Sequence, residues 1–421
     1  MNVSLRDLAR KIFDFGLGEA LARLCSVTTL LLLAHKFGVV FVGIYALAQG
    51  MVQYSYPFID FGLRHVGARL IAKYPQAGEE IALQVQRRRL RMAALLIPIL
   101  MAYAASVKLP ASGKLFVFSF AAVGSLYALS LDWAAWGKEH LRLASLGRAS
   151  VPACVLLALL LGHNSGNVLW WLVGGNVAGN LLQAAIFSAW WHRHQPAHQE
   201  QIPLEQIRDA LAWRRTSVMG LAWFCNMAFA SIDMLMLGVM SNPRQVGLYS
   251  AAYRILTQVL FTYYLMTSVL YPQLARQSRE QRLSMLRSRI LLTVGGLGFV
   301  IAGIVTLVRR PVIAILFGGD FQAATLLLML LAWAIPLDFV TSYLTNAYIA
   351  WGMEKQILLC TFVAASSNVV LNLFAIPRYG ATGTAVNTLI SYVILLVSLA
   401  LVGRSAKELT VEPVREPELI V

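Results

Sequence analysis

Charge is scarce in this chain. Only 13% of its 421 residues are Asp, Glu, Lys or Arg, where soluble domains carry about 25%. With 58% apolar residues and a mean hydropathy of +0.65, this excludes an ordinary soluble domain and predicts an integral membrane protein. Acid is scarcer still, with 20 Asp+Glu against 35 Lys+Arg and a formal charge of +15. In a soluble protein that excess would suggest nucleic acid. In a membrane protein it collects on cytoplasmic loops, and no nucleic-acid partner is expected. The four cysteines, Cys25, Cys154, Cys225 and Cys360, fall inside apolar segments without ligand spacing, which argues against disulfides and a metal site. No GxxxxGK[ST] run occurs, so no P-loop binds ATP. No nucleophile–base constellation is present, no cofactor is called for, and the first apolar run lacks a cleavage-site pattern. No long outside loop is expected either. The longest, near 309–321, is too short for a catalytic domain.

What is present is a series of apolar segments of about 20 residues, the length that spans hydrocarbon. They fall near 19–35, 39–61, 90–107, 115–136, 143–161, 168–191, 216–239, 247–271, 290–308, 322–345, 355–376 and 382–402. Residues 1–18 read as an amphipathic lead-in. Trp170-Trp171 and Trp190-Trp191 frame the sixth segment, as aromatic belts frame a spanning helix. Counting Lys and Arg over the loops, with Arg91, Arg148 and Lys355 at span starts included, puts 26 on the side of the N-terminus and 7 on the other; Arg23 and Arg254 complete the 35. That asymmetry predicts cytoplasmic termini. The run Gln86-Arg87-Arg88-Arg89-Leu90-Arg91 then reads as an anchor beside anionic lipid.

The chain repeats itself. Val42-Gly43-Ile44-Tyr45-Ala46-Leu47-Ala48 matches Val246-Gly247-Leu248-Tyr249-Ser250-Ala251-Ala252 at an offset of 204, and Ala135-Trp136-Gly137-Lys138-Glu139 matches Ala350-Trp351-Gly352-Met353-Glu354 at 215. Six spans per half keep the repeats parallel. The expected organisation is a six-helix lobe over 1–200, a second over 201–403 and a disordered cytoplasmic tail over 404–421. The fold class is all-α, with about twelve transmembrane helices in two parallel six-helix lobes around a central polar cavity.

That cavity is inferred from polar residues at helical spacing. Glu19, Arg23 and Ser26 lie on the first span, and Gln49, Gln53, Tyr56 and Asp60 on the second. Asn226 and Asp233 lie on the seventh, and Arg254, Gln258 and Thr262 on the eighth. The tenth carries Asp338, Thr341, Ser342 and Thr345, the eleventh Thr361, Asn368 and Asn372, and the twelfth Thr384, Asn387, Thr388 and Ser391. Any one stripe is explained by hydrogen bonding between membrane helices; seven of them argue for a wet cavity. Arg23 stands one turn after Glu19, so an i,i+4 ion pair or snorkelling accounts for it. Arg254 pairs with Asp233 or meets a ligand. Asp60 and Asp132 lie near span ends and read as solvated, and His192, His194 and His198 read as a solvated loop cluster. Pro57, Pro98, Pro152, Pro272 and Pro336 mark points where spans bend.

Ile232-Asp233 with Val246 to Arg254, Asp132-Trp133 with Trp136-Gly137-Lys138-Glu139, and Asn372 to Gly383 together resemble polysaccharide transporters of the O-antigen flippase (Wzx) type. The resemblance covers residues 10–402 and extends to a superfamily that includes multidrug exporters and the lipid II flippase. It implies a multi-pass protein of the bacterial inner membrane and not an enzyme. Such a protein moves undecaprenyl-pyrophosphate-linked sugar repeat units to the outer leaflet by alternating access, for O-antigen, capsule or exopolysaccharide. The lipid-linked oligosaccharide and membrane lipids are the expected partners, with a polysaccharide polymerase and a chain-length regulator as further candidates. On this reading Arg23 and Arg254 hold the pyrophosphate. Gln53, Gln258, Asn368 and Asn372 meet the sugar, while Asp233 and Asp338 serve ion coupling or charge pairing. A multidrug exporter of the same superfamily is the alternative among transporters. A membrane-embedded polymerase or glycosyltransferase is the alternative among enzymes.

Overall fold

A computed structural model describes residues 5–194, 204–275 and 289–408. These are helical nearly throughout, and no strand occurs among the described residues. A chain in hydrocarbon has to satisfy its backbone amides internally, and helices do so within one segment. In order the helices are α1 (Leu5–Asp60), α2 (Leu63–Lys73), α3 (Gly78–Ser106), α4 (Ala111–Gly124), α5 (Asp132–Gly137), α6 (Leu141–Gly162), α7 (Val168–Arg193), α8 (Leu204–Ala210), α9 (Trp213–Met240), α10 (Pro243–Ala275), α11 (Arg289–Phe317), α12 (Ala324–Ala332), α13 (Ala334–Ala350) and α14 (Glu354–Glu408).

Helix α1 has 56 residues, about 84 Å at 1.5 Å per residue, far longer than a bilayer is thick. It is two spans joined at Gly38, whose φ of 76° and ψ of −175° suit only glycine. The lead-in from Leu5 belongs to the first of these helices. Helix α14 divides likewise at Gly380 (φ 55°, ψ −136°) and runs on to Glu408; residues 409–421 lie outside the described residues. Nine helices among the described residues are long and apolar enough to cross a membrane. Two of them hold two spans each, and α10, 33 residues long, covers the eighth expected span, which gives the expected twelve. The fourth span departs from expectation. It ends in a 3₁₀ turn at Ser125–Leu129, the chain extends at Ser130, and Asp132 opens the separate short helix α5.

The chain divides into two compact units, Met1–Met227 with Gly238–Gly247, and Ala228–Leu237 with Leu248–Val421. In the first, α2, α3, α5, α7 and α8 close over a core of Leu63, Ile71, Val85, Trp133, Phe187 and Leu211. Trp190 and Trp191 belong to this core. The sequence placed them in an aromatic belt. Instead they are buried, because α2 and α3 lie over the end of α7, whereas Trp170 and Trp171 are exposed. In the second unit α13 and α14 pack through Leu344, Tyr348, Ile357, Cys360, Ala364, Leu395 and Leu399, and the Tyr348 hydroxyl donates to the Leu399 carbonyl at 3.2 Å.

Both repeats have structural counterparts. Within the first unit the two copies of the Val-Gly motif lie against each other. A Cβ on Gly43 would sit 1.9 Å from the Pro243 carbonyl oxygen, and one on Gly247 would sit 2.0 Å from the Val39 carbonyl oxygen. Each glycine thus faces the carbonyl four residues before the other copy's glycine, an approach that only small residues allow between membrane helices. The second repeat corresponds to one turn made twice. After α5, His140 N–H donates to Ala135 O and Glu139 N–H to Trp136 O; after α13, Met353 N–H donates to Tyr348 O and Gly352 N–H to Ile349 O. Both are Schellman caps with a left-handed residue after the helix. Glu139 takes that place in the first (φ 60°) and Gly352 in the second (φ 80°). The turns therefore superpose at an offset of 213 although the letters match at 215.

The glycine contact is testable. Gly43→Ala and Gly247→Ala should each destabilise by roughly 1–3 kcal/mol through overpacking. Gly303→Ala, which meets nothing within 4 Å in α11, should stabilise by up to about 1 kcal/mol. Thermal unfolding of the purified protein in detergent distinguishes them.

Candidate functional site

Two buried polar centres stand out, one in each unit. The first surrounds Asp60 at the end of α1. The buried face of α3 runs Ile81, Val85, Arg89, Ala93, Leu96, Leu100, so Arg89 is carried inward on an apolar stripe while its neighbours in the basic run point elsewhere. The Arg89 Nε lies 2.8 Å from Asp60 Oδ1, with both side chains fully buried. The same guanidinium donates to Ser130 O at 2.5 Å and Tyr127 O at 3.3 Å, and stands 4.7 Å from the centre of the Tyr127 ring. The Tyr127 hydroxyl donates to Asp60 at 3.1 Å and Asp132 at 3.4 Å. Arg64 Nη2 reaches Asp132 Oδ2 at 3.4 Å and its guanidinium lies over Trp136 at 5.5 Å. Burial acts to lower the Arg64 pKa, but the Asp132 carboxylate, then Tyr127 and Asp60, outweigh it and the net shift is upward. Two cations and two anions thus cancel. This corrects three expectations. Asp60 and Asp132 are not solvated, and Arg89 is not a lipid anchor.

The second centre surrounds Asp233 on α9, also buried. Its hydrogen bonds come from neutral groups. Tyr249 Oη and Thr388 Oγ1 each donate to Oδ2 at 2.9 Å, and Asn372 Nδ2 donates to Oδ1 at 2.9 Å. Asn372 Nδ2 also reaches Asn368 Oδ1 at 2.9 Å, and Asn387 Nδ2 reaches Asn372 Oδ1 at 3.2 Å. Thr384 and Ser391 complete a polar stripe on α14, donating to Gly380 O and Asn387 O. Asn368 and Asn372, expected to meet sugar, are therefore buried partners of Asp233. The centre collects one carboxylate with amide and hydroxyl oxygens, the donor set that suits a small hard cation. Among the described residues no three His, Cys, Asp or Glu side chains come together as a metal site.

The remaining candidates are dispersed. Arg23 makes the expected pair with Glu19 at 3.4 Å, and both stay about one-third exposed. Gln53 is exposed on α1 and Gln258 half-buried on α10, as is Arg254. Asp338 accepts from Ser342 Oγ at 3.4 Å. Asn226, placed on one face with Asp233 by spacing, is exposed whereas Asp233 is buried. Of the histidine cluster, His192 is exposed, His194 Nδ1 contacts Trp190 O at 2.9 Å, and His198 lies outside the described residues. The four cysteines are free thiols.

Residues 8–278, well over half of the chain, match the family described as polysaccharide biosynthesis protein. The chain belongs to that family. A probable low-salt glycan biosynthesis flippase of Haloferax volcanii, Agl15, is 24% identical over 169 residues, which span 39% of this chain and 36% of that protein. The fold is similar to that of the lipid II flippase MurJ in its inward closed conformation, with a TM-score of 0.69 at 13% identity over 93% of this chain and 87% of that one. It is equally similar to an inward-facing multidrug resistance MATE transporter of the MOP superfamily, at 0.69 and 13% over 93% and 96%. This member of the polysaccharide biosynthesis family is thus a multi-pass membrane protein with a transporter fold.

Sequence reasoning found Asp233 but missed the Asp60 centre. Removing one member of a buried pair leaves the other charge stranded, at about 3–5 kcal/mol. Arg89→Leu should destabilise by that order, and Arg89→Leu with Asp60→Leu should recover most of it. A double-mutant cycle by thermal unfolding measures the coupling.

Proposed function

We propose that this protein is an ion-coupled flippase for undecaprenyl-pyrophosphate-linked oligosaccharide, moving sugar repeat units from the cytoplasmic to the periplasmic leaflet of a bacterial inner membrane for surface polysaccharide. The observation that carries this reading is the Asp233 centre. An ionisable group inside membrane helices marks function by default, and a buried carboxylate held by hydroxyl and amide groups is a place where a proton or small cation is taken up and released. In a polysaccharide biosynthesis family with a transporter fold, such a group supplies coupling to an ion gradient. Asp233 would hold the ion with Thr388 and Asn372; Asp338 is a second candidate. Arg23 and Arg254, guanidiniums within spans, are assigned to the pyrophosphate, whose geometry Arg meets bidentately. Gln53 and Gln258 remain the candidates for sugar hydroxyls. Cations in the spans disfavour the reading as an exporter of cationic drugs. The six-helix lobes over 1–200 and 201–403 and the cytoplasmic termini belong to the same proposal.

The test is leaflet location of lipid-linked oligosaccharide, probed with an impermeant lectin in vesicles with and without imposed sodium and proton gradients. Asp233→Asn should lower flipping at least 10-fold and remove its dependence on the gradient. Arg254→Ala and Arg23→Ala should slow it with the gradient response intact. Wild-type rates in both Arg variants at normal expression would reassign the head-group site, and no inward-facing accumulation on gene deletion would overturn the flippase reading.

A further inference from the structure

The flippase reading leaves a groove in the first unit unused. It lies between α2 and the turn from α5 to α6, as two adjoining cavities of about 640 and 450 Å³ that share Ala72, Gly137 and Glu139. Its lining is basic and rich in imidazole. Lys138, His140 and His194 stand at one end, and His65 and Arg69 at the other beside Trp136. Lys138 is held in place. Its ammonium donates to His194 O at 2.9 Å and stands 4.6 Å from the centre of the Trp191 ring. His65 and His140 have depressed pKa values. Burial is the main cause for each, followed by Arg64 and Arg69 for His65, and by His194 and Lys138 for His140. The lowering favours the uncharged imidazole, which presents one donor and one acceptor.

The residue at the junction of the two cavities is Glu139, in the left-handed region at φ 60°. A side chain is disfavoured there, and glycine is the usual occupant of this cap position. The matching turn after α13 uses Gly352. The first unit has placed a carboxylate where its own backbone favours glycine, and strained positions of this kind cluster at ligand sites. A carboxylate between cations, with imidazoles and an indole around it, suits a ligand carrying both hydroxyls and phosphate. The carboxylate accepts from paired hydroxyls, the indole covers a sugar face, and Lys and Arg meet the phosphate.

We propose that this groove binds a glycosyl phosphate, with Glu139 accepting from the sugar hydroxyls and Lys138 and Arg69 contacting the phosphate. The assignment of a lipid-linked source rests on the flippase reading; a soluble nucleotide sugar presents the same chemistry. The test uses the full chain in nanodiscs and follows tryptophan fluorescence. One arm titrates farnesyl diphosphate carrying a hexose or an N-acetylhexosamine, and the other titrates the corresponding UDP-sugars. Glu139→Gly removes the carboxylate and relieves the backbone at once, so this variant folds. The expected result is a higher thermal midpoint together with about 10-fold weaker binding, and Lys138→Gln should weaken binding by a similar factor. Loss confined to the farnesyl arm assigns the lipid-linked source, and loss confined to the UDP arm the soluble one. A raised midpoint with unchanged affinity would overturn the proposal and leave Glu139 as a strained cap only. Absence of saturable binding of every probe to the wild-type protein would overturn it too. Leaflet assays on the same preparations keep the two readings apart. Binding without flipping sinks the flippase and spares the groove, and flipping with normal binding by Glu139→Gly does the reverse.

Discussion

A charge among membrane helices has to be neutralised or hydrogen-bonded on every side, since no water is at hand to do it. The two units meet this constraint differently. In the first, Asp60, Arg64, Arg89 and Asp132 form a closed set of opposite charges, knitted by Tyr127 and the Ser130 carbonyl. Such a set is worth little as net stabilisation, yet breaking it by one member is expensive. It acts as a lock on the arrangement of α1, α2, α3 and α5. In the second, the hydrogen bonds described for Asp233 come from neutral donors. Those donors supply dipoles that solvate the carboxylate where water is absent.

The sequence repeats have their clearest physical counterpart in backbone contacts. Gly43 and Gly247 serve the same purpose in the two copies, each admitting the other copy's carbonyl, so any side chain at either position would push the helices apart. The Schellman turns after α5 and α13 also persist as geometry, with the same pair of hydrogen bonds, while their residues have drifted by two positions relative to the letters. Hydrogen-bond geometry is therefore a better register for the second repeat than sequence identity is.

The twelve spans could be read from the sequence because hydrocarbon thickness sets one length for all of them, and glycine marks the joints at Gly38 and Gly380. Asp233 was legible as an isolated charge in an apolar run, and the Glu19–Arg23 pair from its spacing. Arg89 was hidden by its neighbours, since a run of four arginines reads as an anchor beside anionic lipid. The signal that would have separated it is phase. Arg89 continues the stripe of Ile81 and Val85 toward Ala93, Leu96 and Leu100, whereas Arg87, Arg88 and Arg91 fall off it. Asp60 and Asp132 were misread for a related reason. Nearness to a span end was taken as nearness to water, but α2 and the rest of the first core cover that end. The partners of Asp233 were not legible at all, because Tyr249, Asn372 and Thr388 come from two other helices and their convergence is a property of packing.

The difference between Glu139 and Gly352 carries the same lesson from the opposite direction. Helix caps are local, and local preference alone would put glycine in both turns. One turn obeys that preference, with Gly352 in the left-handed position. The other departs from it where two cavities adjoin and five basic or imidazole side chains converge. A departure from local preference is stable only if the surrounding structure holds it, and here α2, α7 and the Lys138–His194 contact do so. The first unit thus combines a locked ionic interior with a strained, solvent-facing carboxylate. The second keeps its hydrogen-bonded acid inside and has glycine at the matching turn.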